Sequence, residues 1–436
     1  MKREAPVGGY AWYVVGTLLI AWTLAYLDRQ AITLLIPSLK ADLHLSDTQV
    51  SLVQGLAFAL FFALAGLPIG RLVDRANRRT IIAIGTLVWS LATIACGFAE
   101  NFAELFVARM GVGVGEACLA PAGYSLLADY FTGANRGRAA GIVGAGGPLG
   151  NALSSVLSGW LIERFGAGGI DVPLVGNLAA WQFVFIAFGL PGLVVSLLVL
   201  TIREPKRQEA AADLGVQHAS FPKYAMAHKS VFIPVYAALA CQFISGYAIV
   251  SWGAVLLMRV NKVPPGEVGA MFGMMLLIAG VGGSAASGVI SDILARRRPL
   301  DGRLRLAWFA YPPIIIGYAL FVVPADTALT FAAITWITLF SGAYTTASYP
   351  MLTDLAPNEM RGQAVAVYML VGNLAGLGLT PTLVALATDY LYRDETMIRQ
   401  SIVTVGLPAS TLALVLSIIA LRHYAAMRRE VFGVRA

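Results

Sequence analysis

The sequence predicts an all-α membrane protein: twelve transmembrane helices in two pseudo-symmetric six-helix bundles, with both termini cytosolic. Three observations carry that expectation. Of 436 residues, 58% are hydrophobic and 13% charged, with a mean hydropathy of +0.73, against about a quarter charged in an ordinary soluble domain. Apolar segments near the roughly 20 residues needed to cross about 30 Å of hydrocarbon recur along the whole length. The second half of the chain also repeats loop motifs of the first.

The first six helices are expected over 10–37, 48–70, 78–98, 102–130, 137–163 and 180–202, and the second six over 230–258, 266–290, 305–324, 327–353, 361–388 and 398–422. Helix 1 is introduced by MKREAPVGGYAWYVV, basic and then apolar like a secretory leader. The apolar run is too long for a leader and no small-residue cleavage site closes it, so it is expected to stay as the first span. After helix 2 the loop reads GRLVDRANRR from Gly70, and after helix 8 it reads GVISDILARR from Gly288; both are G-x3-D-x3-R-R, 218 residues apart. A second echo places Arg136-Gly137 seven residues after Asp129 and Arg361-Gly362 seven after Asp354. Repeats at half the chain length mean a duplicated six-helix unit. Between the copies, REPKRQEAAADLGVQHASFPK is the long polar stretch. The expected organisation is therefore a first bundle over 1–202, a cytosolic linker over 203–229 and a second bundle over 230–436.

Orientation follows from Lys and Arg. With the N-terminus inside, 23 of the 31 basic residues fall in the cytosol, 6 fall outside, and Arg29 and Arg109 lie within spans. That is a strong positive-inside asymmetry. It accounts for the net charge of +7 without a nucleic-acid partner. Cys96, Cys118 and Cys241 are scattered inside spans, so neither a disulfide framework nor a metal site is indicated, and no cofactor is expected. The expected setting is the plasma (inner) membrane, multi-pass, as a monomer in the bilayer.

Parallel six-helix repeats point to carriers whose halves rock about a site near the bilayer midplane. GLPIGRLVDRANRRTI resembles motif A of the major facilitator superfamily, with Asn77 standing where that family usually has a second glycine; an asparagine tolerates the left-handed turn such a position needs. YLDRQAITLLIPSLKADLHLSDTQVSLVQ in helices 1 and 2, with R-x6-E in helix 4, resembles more narrowly the spinster family of lysolipid transporters. The resemblance implies the major facilitator fold, contact between helices 5 and 8 as a sliding interface, and an amphipathic substrate such as sphingosine-1-phosphate or a lysophospholipid. GIVGAGGPLGN in helix 5 and AGVGGSAASG in helix 8 supply the small residues for close approach. Gly147-Pro148 fits the family's antiporter motif, but Asn151 and Ala152 occupy its closing glycines, so the motif does not specify antiport.

Four charges inside the membrane are the leading candidates. Each costs roughly 3 kcal/mol at the centre of a span on the most permissive scale, and intramembrane ionisable groups are functional by default. Asp28 and Arg29 lie on helix 1; Arg109 and Glu116, seven apart, share a face of helix 4. Counting depth from the helix ends at about 1.5 Å per residue, Asp28 and Arg109 are expected to pair, leaving Arg29 and Glu116 near the cavity. Asp28 and Glu116 are the proton-coupling candidates. Arg29, Arg109, Tyr26, Gln242, Tyr247, Trp252, Tyr344, Ser348 and Asn373 are the candidates for substrate contact and the charge network. Gly70, Asp74, Arg75, Arg78, Arg136, Asp292 and Arg361 are the candidate cytosolic gate.

The competing readings are plainer. The four charges could be an ion-pair cluster that only fixes packing, and the polar residues of helices 7, 10 and 11 ordinary interhelical hydrogen-bonders. GVGVGE at 111–116 neither follows a strand nor opens a helix, so it reads as packing rather than a dinucleotide loop. An enzyme is disfavoured: His44, His218, His228 and His423 all lie outside the membrane core, and neither G-x-S-x-G nor H-E-x-x-H occurs. A channel would need a continuous polar lining. The sequence therefore reads as a proton-linked secondary carrier of an amphipathic lysolipid, with a carrier of a smaller organic anion or drug as the alternative.

Overall fold

A computed structural model describes residues 8–131, 133–166, 168–173, 176–205, 221–323, 326–357, 360–430 and 433, without the side chains of 133–134, 284, 343–347 and 430. Among these residues, ten helices are long and apolar enough to cross a membrane. They are helix 1 (Gly9–Leu43), helix 2 (Asp47–Arg75), helix 3 (Arg78–Cys96), helix 4 (Phe102–Tyr130), helix 6 (Ala180–Val199), helix 7 (Lys229–Arg259), helix 8 (Pro265–Arg297), helix 9 (Gly302–Phe321), helix 11 (Arg361–Tyr392) and helix 12 (Glu395–Arg429). Gly146–Phe165 and Thr327–Thr353 stand where helices 5 and 10 are expected. A two-stranded antiparallel ribbon, Ile170–Val172 against Gly176–Leu178, joins helices 5 and 6. An all-α reading misses it, because a three-residue strand carries no periodicity to detect.

Helix starts follow capping chemistry. Ser46 accepts from Gln49 N while Gln49 Oε1 takes Ser46 N–H, a complete capping box before helix 2. Asn101 and Asp326 cap helices 4 and 10 in the same way, accepting from Glu104 N and Leu329 N. Asn77 corrects the motif-based expectation: its φ is −72°, not left-handed, and its Oδ1 accepts from Thr80 N at 3.0 Å. It is an N-cap, and asparagine is among the best residues for that position.

Helix 1 runs past Pro37 to Leu43, where His44 turns left-handed at φ 52°. The extension is fastened: Lys40 Nζ lies 2.5 Å from the buried Asp47 carboxylate, and Trp181 Nε1 donates to Asp42 at 2.6 Å. π-helical segments interrupt helix 2 at Leu52–Leu56, helix 8 at Leu276–Gly280 and helix 11 at Gly372–Leu379.

The chain forms two compact units, Met1–Leu214 with Pro264–Met274, and Gly215–Val263 with Met275–Ala436. In the first unit the backbones of helices 3 and 4 nearly touch: a Cβ on Gly85 would stand 2.1 Å from Cys118 Sγ and 2.7 Å from Gly115 O. The glycines of GVGVGE are thus packing residues. Within the same unit, Gly159 lies against Pro265 O, so the small residues of helix 5 receive the start of helix 8. The second unit centres on Trp252, Tyr311, Tyr318 and Tyr424, all fully buried.

Candidate functional site

The first unit brings the four intramembrane charges together. Asp28, Arg109 and Glu116 are each 1% exposed, and the Arg29 side chain is 16% exposed. Arg29 Nε donates to Glu116 Oε2 at 2.5 Å. Glu116 thus meets helix 1 through Arg29, while Arg109, seven residues earlier on helix 4, lies against Phe58 of helix 2. Asp28 does not pair with Arg109. Its Oδ2 accepts from Thr93 Oγ1 of helix 3 at 3.0 Å, and no ion pair joins it to Arg109. Matching depth along two helices says nothing of azimuth, and Thr93 of helix 3 stands beside Asp28.

Arg29 is held by aromatic faces as well. Its Cζ lies 4.8 Å from the Tyr26 ring centroid, 4.6 Å from Phe58 and 5.1 Å from Phe62. Arg109 Cζ is 5.6 Å from the same Phe58 ring. Rings within about 6 Å attract a guanidinium through their quadrupole, so Phe58 serves both arginines. Phe58, Phe62 and Thr93 escape a reading of sequence. The phenylalanines sit in the run AFALFFALAG and the threonine in an apolar helix, where only the four-residue spacing of the rings distinguishes them.

The cluster is incompletely satisfied. Among the described residues, Asp28 Oδ1, Glu116 Oε1 and Arg109 Nε and Nη1 are buried without a hydrogen-bond partner. Taking ions out of water costs several kcal/mol each, which only excellent geometry and full hydrogen bonding offset. A packing device would be cheaper built from apolar residues. The carboxyl oxygens Asp28 Oδ1 and Glu116 Oε1 can each take a proton or a donor, and Arg109 can serve a further acceptor.

The second unit handles its candidates differently. Gln242 is buried and donates to Ser341 O at 3.2 Å, with its Oε1 unpartnered among the described residues. Tyr247 is half-buried with its ring against Gly376. Asn373, in the π segment of helix 11, turns its amide back to Met369 O at 3.0 Å. Ser348 is buried, and the Tyr344 side chain lies outside the described residues. Trp252 departs from the expectation of substrate contact. It is fully buried and donates Nε1 to Pro381 O at 3.0 Å, the satisfied state of a core tryptophan.

At the loop ends, the gate candidates divide. Asp74, Arg75 and Arg136 are exposed, and Gly70 has open space where a Cβ would stand. Arg78 is 1% exposed and binds Asp129 at 2.5 Å, Glu204 at 2.7 Å and Ser125 Oγ at 3.0 Å. It is a buried clasp within the first unit. In the second unit Arg303 takes the corresponding place, 3.4 Å from Asp354 and 3.9 Å from Asp292, and Arg428 approaches Asp354 at 3.5 Å. Arg361 donates to Thr353 O at 3.1 Å. Burial pushes the Asp354 carboxyl above the ordinary carboxylate value, against the pull of Arg428, Arg303 and Arg361.

Comparisons with known proteins agree with this architecture. The chain is 26% identical over 394 residues to an MFS-type efflux pump of Mycolicibacterium smegmatis, covering 88% of this chain and 86% of that one. It is 24% identical over 440 residues to the probable galactarate/D-glucarate transporter of Bacillus subtilis, covering 93% and 90%. The crystal structure of a bacterial homologue of the human lysosomal transporter spinster, inward-facing and unoccupied, matches with a TM-score of 0.78 and 25% identity, over 100% of this chain and 99% of that one. The model of the Major Facilitator Superfamily matches residues 18–381. This multi-pass, predominantly helical membrane chain belongs to the Major Facilitator Superfamily.

Proposed function

We propose that the protein is a proton-coupled secondary carrier of an amphipathic lysolipid with an anionic headgroup, working by alternating access. The observation that carries this reading is Arg29: a part-buried side chain, backed by three aromatic rings and ion-paired with the buried Glu116 at 2.5 Å. Asp28, Glu116, Arg29 and Arg109 sum to zero when all are ionised. Protonating either acid leaves one positive charge in a low-dielectric site, and that charge attracts an anion. The planar fork of arginine suits a phosphate or carboxylate in bidentate fashion. Substrate charge and proton then travel as one neutral package. An acyl tail would lie along apolar walls, each buried CH₂ contributing roughly 0.8 kcal/mol. The lipid is what the resemblance of helices 1, 2 and 4 to the spinster family implies, and the chain is similar to a bacterial spinster homologue.

The reading includes twelve crossings with both termini in the cytosol, a monomer in the plasma (inner) membrane, and Asp74 and Asp292 as the gate that favours closure on the cytosolic side. Similarity to a transporter of galactarate and D-glucarate favours a second reading, a smaller organic anion held by the same Arg29. Proton-gradient-driven uptake into proteoliposomes, run with a panel of lysophospholipids, sphingosine-1-phosphate and sugar acids, decides between them. Gradient-dependent accumulation of the lysolipids alone supports the first reading. Accumulation of sugar acids alone replaces it with the second, and flux indifferent to the proton gradient overturns both.

A further inference from the structure

The contact between helices 1 and 2 continues beyond Arg29. Gln54, Phe58 and Phe62 are spaced by four on helix 2 and share a face; Tyr26, Arg29 and Thr33 do the same on helix 1. They meet in order. Arg29 lies over Phe58 and Phe62, and one turn on, about 5 Å along the axis, Gln54 Nε2 donates to Thr33 Oγ1 at 3.1 Å. Gln30, beside Arg29 in the chain, is 8% exposed and Gln54 is 4% exposed. Each of these amides has one pole unused among the described residues: the donor Gln30 Nε2 and the acceptor Gln54 Oε1. Gln54 also sits in the π segment Leu52–Leu56, and such single-turn insertions occur frequently at functional sites.

Leaving a buried donor or acceptor unmade costs free energy, and native structures rarely do so without a reason. Gln30 stands three residues before Thr33 on helix 1, the residue that Gln54 bonds, so the two amides lie on adjoining turns. A hydroxyl can serve both, because it accepts from a donor and donates to an acceptor. We propose that Gln30, Thr33 and Gln54 form a hydroxyl-recognition subsite one helical turn from Arg29, so that the substrate is a hydroxylated anion. The inference rests on the reading of Arg29 as the anion anchor and adds what stands next to the anion. A polyhydroxy carboxylate and the hydroxylated headgroup of a lysolipid share this chemistry.

The test is equilibrium binding to detergent-purified, monodisperse protein, using two matched pairs: D-galacturonate with hexanoate, and oleoyl lysophosphatidate with its 2-deoxy analogue. Wild type is expected to bind the hydroxylated member of at least one pair ten-fold or more tightly, since a site built to hydrogen-bond a hydroxyl rejects the analogue lacking it. The pair that shows the preference identifies the source of the hydroxyl. Gln54→Leu and Gln30→Met should bring that ratio close to one. Where Gln54→Leu does not fold, Thr33→Val removes only the amide's anchor and should lower the ratio in protein that stays monodisperse. Arg29→Lys should weaken both members together and leave the ratio standing. A ratio near one in wild type means that water alone completes the amides and overturns the subsite, as does a preference undiminished in the glutamine variants. Undiminished affinity in Arg29→Lys with a collapsed ratio in Gln54→Leu overturns the anion anchor and keeps the subsite. Absence of binding by all four probes overturns both.

Discussion

Asp28 takes its hydrogen bond from Thr93 on helix 3, not from an arginine on helix 4. A neutral hydroxyl is a weaker hold on a carboxylate than a guanidinium, so this acid is easier to release than an ion-paired one. Asp28→Asn is expected to abolish proton-driven accumulation while ligand binding to purified protein stays measurable. Accumulation against a gradient by the Asp28→Asn protein in proteoliposomes would assign proton carriage to Glu116.

Arg29→Lys keeps the charge but loses the planar fork and the stacking on Phe58 and Phe62. Affinity for an anionic ligand should fall by roughly ten- to a hundred-fold, the equivalent of one charge-assisted hydrogen bond of about 1.5–3 kcal/mol. Calorimetric titration of folded protein reads this directly. With lysolipids of increasing tail length, wild-type affinity should climb by about four-fold per buried CH₂; a flat series favours the small-anion reading.

Gly85→Leu should destabilise the first unit by about 1–3 kcal/mol, because any Cβ there runs into Cys118 Sγ and Gly115 O. Gly16→Ala, where nothing lies within 4 Å of the new methyl, is the control. Thermal unfolding in detergent compares the two, and equal melting temperatures would contradict the close approach of helices 3 and 4.

Asp354 supplies a pH signature with a definite sign. Burial raises its carboxyl above the ordinary aspartate value of about 3.9 in the folded protein. The folded state therefore binds this proton more tightly than the unfolded chain. Its contribution to stability is fully present below the ordinary value and is lost as pH climbs through the raised one. Asp354→Asn removes that titration. Melting temperatures of wild type and variant across the acid range should converge on acidification, and a difference independent of pH would refute the assignment.

Asp74→Ala should raise the accessibility of cysteines introduced near the cytosolic mouth, if its carboxylate favours the state closed on that side. Labelling rates in inside-out vesicles measure this. Unchanged rates would leave Asp74 as a solvated loop charge, in keeping with its exposure in the first unit.

Much of this was legible in sequence because a bilayer restricts what can appear inside it. Asp28, Arg29, Arg109 and Glu116 stand out from apolar surroundings, and the seven-residue spacing on helix 4 predicts a shared face. Their partners are harder to read. Phe58 and Phe62 belong to a span where aromatic residues are ordinary, and Thr93 looks like any small polar residue in lipid. The sequence pattern ends helix 1 at Pro37, yet the helix continues to Leu43, since Trp181 of helix 6 and the Lys40 to Asp47 pair hold the extension in place. Trp252 illustrates the opposite error: a polar atom on a large ring suggests ligand contact, while burial and the Pro381 carbonyl make it core. The π segments leave no periodic trace, because one added residue shifts the phase of a helix without changing its composition.

The clasp around Arg78 bears on how the polypeptide can be divided. Glu204, the second residue of the long polar stretch, is already tied to Arg78 of its own unit. At the far side of that stretch, Phe221 N donates to Gln363 Oε1 at 3.1 Å within the other. Each unit thus ties off its own end, and neither anchor depends on the peptide bonds between 206 and 220. The carrier should tolerate being made as two separately translated half-proteins, in which case the covalent link serves chiefly to deliver one first half for every second half.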